Sequence, residues 1–146
     1  MARPRKQPEL IYKTNRHCCY DLQYHIVLIT KYRHPVIKDE IETRLHEIIE
    51  YLLKGQKCNL IEFNSNMDHV HILFEAKPQT NLSVLVNNIK TVTSRRIRQE
   101  FGDLLAPYYW KPYFWSESYF IGTVSDRSRI AAQQYIKQQK ENAEGK

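Results

Sequence analysis

The chain changes hydrophobic period several times, and the order of those changes limits the folds open to it. In residues 20–31, Tyr20, Leu22, Tyr24, Ile26 and Leu28 fall on one side of an extended backbone. Asp21, Gln23, His25, Val27 and Ile29 fall on the other, which predicts a strand. Over residues 39–56 the period lengthens. Ile41, Leu45, Ile48, Ile49 and Leu52 form one stripe at helical spacing, with Asp39 placed to cap and Gly55 near the end. Residues 58–65 and 69–76 return to strand character across the short link Asn66-Met67-Asp68, so a hairpin is expected. A second helix is predicted over 81–101, capped near Asn81 and stopped at Gly102. Its apolar face carries Leu82, Leu85, Val86, Ile89, Val92, Ile97 and Phe101, and its polar face carries Asn87, Thr91, Ser94, Arg95 and Arg98. Residues 103–113 are irregular and aromatic. Residues 114–124 read as a strand or bent hairpin interrupted by Gly122. Ser125 and Asp126 then cap a last helix over about 127–141, followed by a fraying tail.

The order β, α, β, β, α, β is that of the ferredoxin-like split motif, an α+β sandwich with an antiparallel sheet, here with an added C-terminal helix. At 146 residues the chain is one domain's worth. Residues 1–17 are expected to be a flexible basic arm, with Pro4 and Pro8 opposing regular structure and Arg3, Arg5, Lys6, Lys13 and Arg16 carrying charge. Residues 18–146 form the domain. A chain of this length buries roughly 68–70% of its unfolded surface, so no disulfide or metal staple is needed. Cys18, Cys19 and Cys58 are odd in number and two are adjacent, which predicts reduced thiols. No run approaches about 18 apolar residues, and MARPRKQPEL lacks the apolar core of a signal peptide. The expectations are no membrane and a cytoplasmic location.

Lys and Arg number 22 against 16 acids, a net charge of +6. Ten Tyr, five Phe and two Trp are mixed with these basic residues. Both a basic enzyme and a nucleic-acid binder fit this balance, and the aromatics suit stacking on unpaired bases.

His69-Val70-His71 carries the sharpest chemical signal. On a strand, positions i and i+2 share a face, so two imidazoles stand side by side while Val70 turns inward. That is half of a metal site, and Asp68 is placed to orient one imidazole. An isolated H-x-H on a strand is more often merely solvated, so a third ligand and a reacting group must come from elsewhere. The last helix offers Tyr135 and Gln139, four residues apart on one face, with Ser128, Ala131 and Ala132 preceding them on nearly the same face.

Asp68-His69-Val70-His71 followed by Tyr135-Ile136-Lys137-Gln138-Gln139 resembles the HUH single-tyrosine transposases of the insertion-sequence 200/605 family. The likeness extends through Tyr24-His25, the loop Lys31-Tyr32-Arg33-His34, Ser118-Tyr119 and Thr123-Val124-Ser125, and so covers about residues 20–140. Met67 departs from it, standing where the family pattern has proline. The resemblance implies a DNA transposase that binds hairpins in the single-stranded ends of an insertion sequence. It makes Tyr135 the nucleophile, His69, His71 and Gln139 the metal ligands, and Mg²⁺ or Mn²⁺ the cofactor, with no small-molecule cofactor. Attack by Tyr135 would leave a 5′-phosphotyrosine and a free 3′-hydroxyl, and the retained phosphodiester energy would permit rejoining. Lys31, Arg33, Arg95 and Arg98 are the expected DNA-binding residues. A homodimer is implied, with Gly122 and residues 123–126 as hinges for the tyrosine helix. The alternatives are a related enzyme that processes palindromic chromosomal repeats, a non-catalytic single-stranded nucleic-acid-binding module, and a hydrolase that uses water at the two histidines.

Overall fold

The computed structural model describes residues 12–14 and 18–144, with side chains through residue 140. The arm residues Arg3, Pro4, Arg5, Lys6, Pro8 and Arg16 lie outside the described residues. Inside the expected arm, strand β1 (Lys13–Thr14) pairs antiparallel with β2 (Cys19–Tyr20) as a short ribbon. The remaining elements follow the expected order. They are β3 (Gln23–Thr30), a 3-10 turn at Lys31–Arg33, α1 (Glu40–Gly55), β4 (Asn59–Asn66), β5 (His69–Glu75), α2 (Leu82–Glu100), α3 (Gly102–Leu105), β6 (Trp115–Thr123) and α4 (Asp126–Glu144). The main sheet is antiparallel with strand order β4-β5-β3-β6. The first and third strands of the βαββαβ unit thus occupy its centre, as the ferredoxin-like sandwich requires.

Helices α1 and α2 cover one face. Ile26 and Leu28 of β3, with Val70, Ile72 and Phe74 of β5, meet Ile41, Leu45, Ile48, Ile49 and Leu53 of α1 and Leu85, Val86, Ile89 and Ile97 of α2. Leu53 is fully buried where the stripe anticipated Leu52, which is half-buried. Strand pairing explains why α1 and α2 lie together: the hairpin turns back at residues 67–68, so both crossovers pass over the same face. Among the described residues no helix is long and apolar enough to cross a membrane.

Several local expectations change. Asp39 does not cap α1 through its side chain; its backbone sits at φ 52 instead. Asn81 does cap, its side-chain oxygen accepting from the Val84 amide at 3.2 Å. Gly55 closes α1 as its last residue, while the left-handed residue beyond it is Lys57 at φ 59. Gly102 opens α3, so the segment after α2 is not wholly irregular. Strand β6 runs unbroken through Gly122, and α4 continues to Glu144, past the expected end near residue 141.

Thr93 escaped the hydrophobic pattern. It lies fully buried on the apolar face of α2, four residues from both Ile89 and Ile97. Its hydroxyl donates to the Ile89 carbonyl at 2.5 Å and accepts from the Trp115 indole at 2.8 Å. Replacing Thr93 by Val keeps the shape and removes the indole's acceptor in a buried place. The expected cost is about 1–3 kcal/mol, read as a lower urea midpoint, whereas Thr93→Ser retains most of the stability.

Candidate functional site

The face of the sheet opposite α1 and α2 carries the candidate site residues. The pleat that sends Val70, Ile72 and Phe74 into the main core leaves His69 and His71 on this second face, each half-buried. Register sets His69 beside Ile29 and His71 beside Val27 on β3. On the other side lie Asn66 and Asn64 of β4. The Asp68 carboxylate lies 2.8 Å from His69 Nδ1. A carboxylate can only accept, so Nδ1 carries the proton and Nε2 of a neutral His69 keeps its lone pair.

A third imidazole joins them. His71 Nε2 lies 2.9 Å from His25 Nδ1, and the two rings meet edge-on with centroids 5.1 Å apart. His25 Nε2 in turn lies 2.5 Å from the Ser128 hydroxyl on α4. Burial pushes the pKa of His25 down, and neighbouring His71 adds to the effect. Burial also lowers His71, with Glu62 opposing and His69 assisting. Both rings are therefore neutral near pH 7, the form a metal ligand requires.

Helix α4 lies over β3 and β6. Ala132 packs on Val27 and Ile29, with Phe120, Tyr135 and Ile136 around it. Its first turn comes so close to β6 that a Cβ on Gly122 would collide with the Ser128 hydroxyl. Ser125 caps this turn, accepting from the Ser128 amide at 3.1 Å. The Tyr135 hydroxyl is 2.7 Å from Ser118 Oγ on β6. The two histidines are on β5, with β3 between it and β6, and the Tyr135 ring packs against the Val27 and Ile29 cluster of β3. The fold thus brings His69 and His71 together and sets Tyr135 on the same face, over the far edge strand. Gln139 is half-buried one turn beyond Tyr135 and makes no hydrogen bond to either imidazole among the described residues.

A cation fits this donor set in part. Among the described residues no group of three or more His, Cys, Asp or Glu could hold a metal ion. A complete site here needs another donor beside the two imidazoles, and the Gln139 amide is of the right kind. His69 is oriented as a ligand should be, while His71 would have to offer Nδ1 or release His25.

The four basic residues divide. Arg33 is engaged inside the molecule: its Nε donates to Asp68 at 3.0 Å and its Nη1 to the Ile136 carbonyl at 2.7 Å. Its side chain is 11% exposed, so little of it faces a DNA backbone. Lys31 Nζ sits over the Tyr32 and Tyr113 rings at 5.4 and 5.1 Å. Arg95 is exposed, and Arg98 is half-buried with its Nε 3.2 Å from Ser94 Oγ.

Sequence reasoning missed His25 and Ser128 as members of the imidazole chain. Alternation along β3 had put His25 on the face of Val27 and Ile29, which was the available signal. Its pairing with His71 depends on cross-strand register, and no single strand encodes that.

Comparison with known proteins shows similarity in sequence and fold. The family model described as "Transposase IS200 like" matches residues 18–139. The chain is 32% identical over 127 residues to the ISDra2 transposase TnpA of Deinococcus radiodurans, covering 87% of this chain and 90% of that protein. It is 30% identical over 129 residues to the transposase for insertion sequence element IS200 of Salmonella typhimurium, covering 88% and 84%. A crystal structure of a transposase candidate from D. radiodurans R1 superposes with a TM-score of 0.79 at 35% identity, covering 87% of this chain and 97% of that one. A REP-associated tyrosine transposase bound to a REP hairpin shares the fold at a TM-score of 0.54 and 9% identity, covering 83% and 67%.

The lowered histidines make stability depend on pH. Their folded-state pKa values lie below the ordinary 6.5, so the unfolded chain takes up protons first on acidification. Their contribution is complete above that value and is lost as pH falls below it. In metal-free buffer the urea midpoint is expected to drop between about pH 7.5 and pH 5, and His25→Gln should flatten that drop.

Proposed function

The chain belongs to the IS200-like transposase family, and on that premise we propose that it cuts and rejoins single-stranded DNA through a covalent tyrosine intermediate. One observation carries this reading: Tyr135 and the histidine pair share the sheet face that α1 and α2 leave open. His69, His71 and Gln139 would hold a divalent cation, Mg²⁺ or Mn²⁺. When bound, that cation neutralises charge developing on the scissile phosphate and orients it. The substrate is a DNA end folded into a hairpin.

In the proposed reaction Tyr135 Oη attacks phosphorus and the bond from phosphorus to O3′ breaks. The products are a 5′-phosphotyrosine and a 3′-hydroxyl. The phenolic proton is given up and the departing oxygen takes one, so the proton count is unchanged. One phosphodiester replaces another, and a second 3′-hydroxyl can reverse the step without ATP. Ser118 steadies the waiting phenol. Asp68 keeps His69 in the tautomer that presents Nε2. Neutral His71 is ready to ligate without first losing a proton.

Among the described residues the Tyr135 hydroxyl bonds Ser118 of β6 and neither imidazole, which supports a working homodimer in which α4 of one copy serves the histidine pair of the other. A shift of α4 within one chain would meet the same need.

The test is incubation with Mg²⁺ and single-stranded DNA from the flanks of the encoding locus, followed by a denaturing gel. Wild-type protein should form a protein–DNA conjugate. Tyr135→Phe should form none while still binding the hairpin, and His69→Ala or His71→Ala should reduce the conjugate to background. Conjugate in Tyr135→Phe would move the nucleophile elsewhere, and cutting without conjugate would favour a hydrolase using water.

A further inference from the structure

The aromatic stretch after α3 has no part in the tyrosine chemistry, yet it is built against the turn that follows β3. Tyr109 donates its hydroxyl to the Lys31 carbonyl at 2.7 Å, and the Lys31 amide donates to the Phe114 carbonyl at 2.8 Å. These bonds bring Tyr113 beside Tyr32, with ring centroids 6.0 Å apart at 84°. Tyr32 sits at φ 59 and is 53% exposed. Trp110 is 85% exposed, with Lys111 Nζ 4.6 Å from its ring centre. A cleft of about 200 Å³ is lined by Arg98, Trp110, Lys111 and Tyr113. An indole that exposed contributes little to the core.

We propose that Tyr32, Tyr113 and Trp110, with Lys31, Lys111 and Arg98, form a stacking subsite for the unpaired bases of a single strand. Every base presents a π face to an aromatic ring, so such a platform binds without reading sequence. The cations beside the rings fit the alternation of base and phosphate along a strand. Lysine side chains are flexible enough to turn from ring to phosphate when a base arrives. The net charge of +6 favours a polyanion. The platform adjoins the histidine pair: Arg33, next to Tyr32, bonds Asp68, next to His69, and the Thr30 amide bonds the Asp68 carbonyl at 3.0 Å. A strand whose phosphate lies at the histidines can therefore run directly onto these rings. The inference rests on the reading of the chain as a single-strand DNA enzyme, and it adds where the flanking strand is held.

The experiment uses full-length protein with an oligothymidylate that cannot form a hairpin, and an abasic oligomer of the same length. The chain has two tryptophans, Trp110 at the surface and Trp115 at 8% exposure, so the part of the intrinsic-fluorescence change that is lost in Trp110→Phe reports on Trp110. Oligothymidylate should quench it and the abasic oligomer should not. By anisotropy of labelled oligomer, Trp110→Ala and Tyr32→Ala should each weaken binding about tenfold, and Trp110→Phe by less than about threefold. Equal affinity for the abasic oligomer, or unchanged binding in Trp110→Ala, would overturn the proposal and leave the rings for a different partner such as a protein. Repeating the titration with Tyr135→Phe separates the two readings. Conjugate formation with no quenching sinks the stacking subsite alone, and quenching with conjugate in Tyr135→Phe sinks the nucleophile assignment alone.

Discussion

A strand at the middle of a sheet can serve two layers only if both of its sides are apolar or satisfied, and β3 meets that demand from His25 to Thr30, all buried. Ile26 and Leu28 close the main core under α1 and α2. Val27 and Ile29 make the seat for α4. His25 would be an unpaired polar group there, and its two ring nitrogens find His71 and Ser128. The histidine pair and the tyrosine helix thus meet on one face through a single strand. Register does the rest, because a slip by one residue would turn His69 and His71 into the core and expel Val70 and Ile72.

The elements were legible because each burial period is long and clean. The stripe of α1 and the alternation of β5 leave one plausible structure each, and the split order follows from their sequence. His69 and His71 were legible for the same reason, as two ligand-type side chains at the spacing that guarantees a shared face. What escaped depends on contacts between elements. Thr93 is polar on an apolar face, and its reason, the Trp115 indole, comes from a strand 22 residues away. Asp39 was read as a cap by residue type, yet its backbone adopts a left-handed φ and its side chain makes no cap bond. Arg33 was read as a phosphate contact by its charge, and tertiary structure gave it internal partners.

That arginine explains an otherwise costly piece of backbone. Tyr32 and Arg33 both have left-handed φ, at 59° and 53°, at roughly 1–2 kcal/mol each for residues with a side chain. The conformation turns Arg33 back to join Asp68 and the Ile136 carbonyl. Charge-assisted bonds in a largely buried position offset such strain. The same carboxylate orients His69, so one short chain of contacts links the turn after β3, the imidazole pair and the helix that carries the phenol.

The two layers are held with unequal strength. Two long amphipathic helices and all four strands of the main sheet share the main core, whereas α4 rests on Val27, Ile29 and the partly buried Phe120, with a methyl-sized side chain, Ala132, in its contact. Lifting α4 would uncover little oily surface and would leave the sandwich beneath it whole. Tyr135 is therefore carried by the layer with the smaller apolar contact, and amides of α4 should exchange faster than those of the strands beneath it.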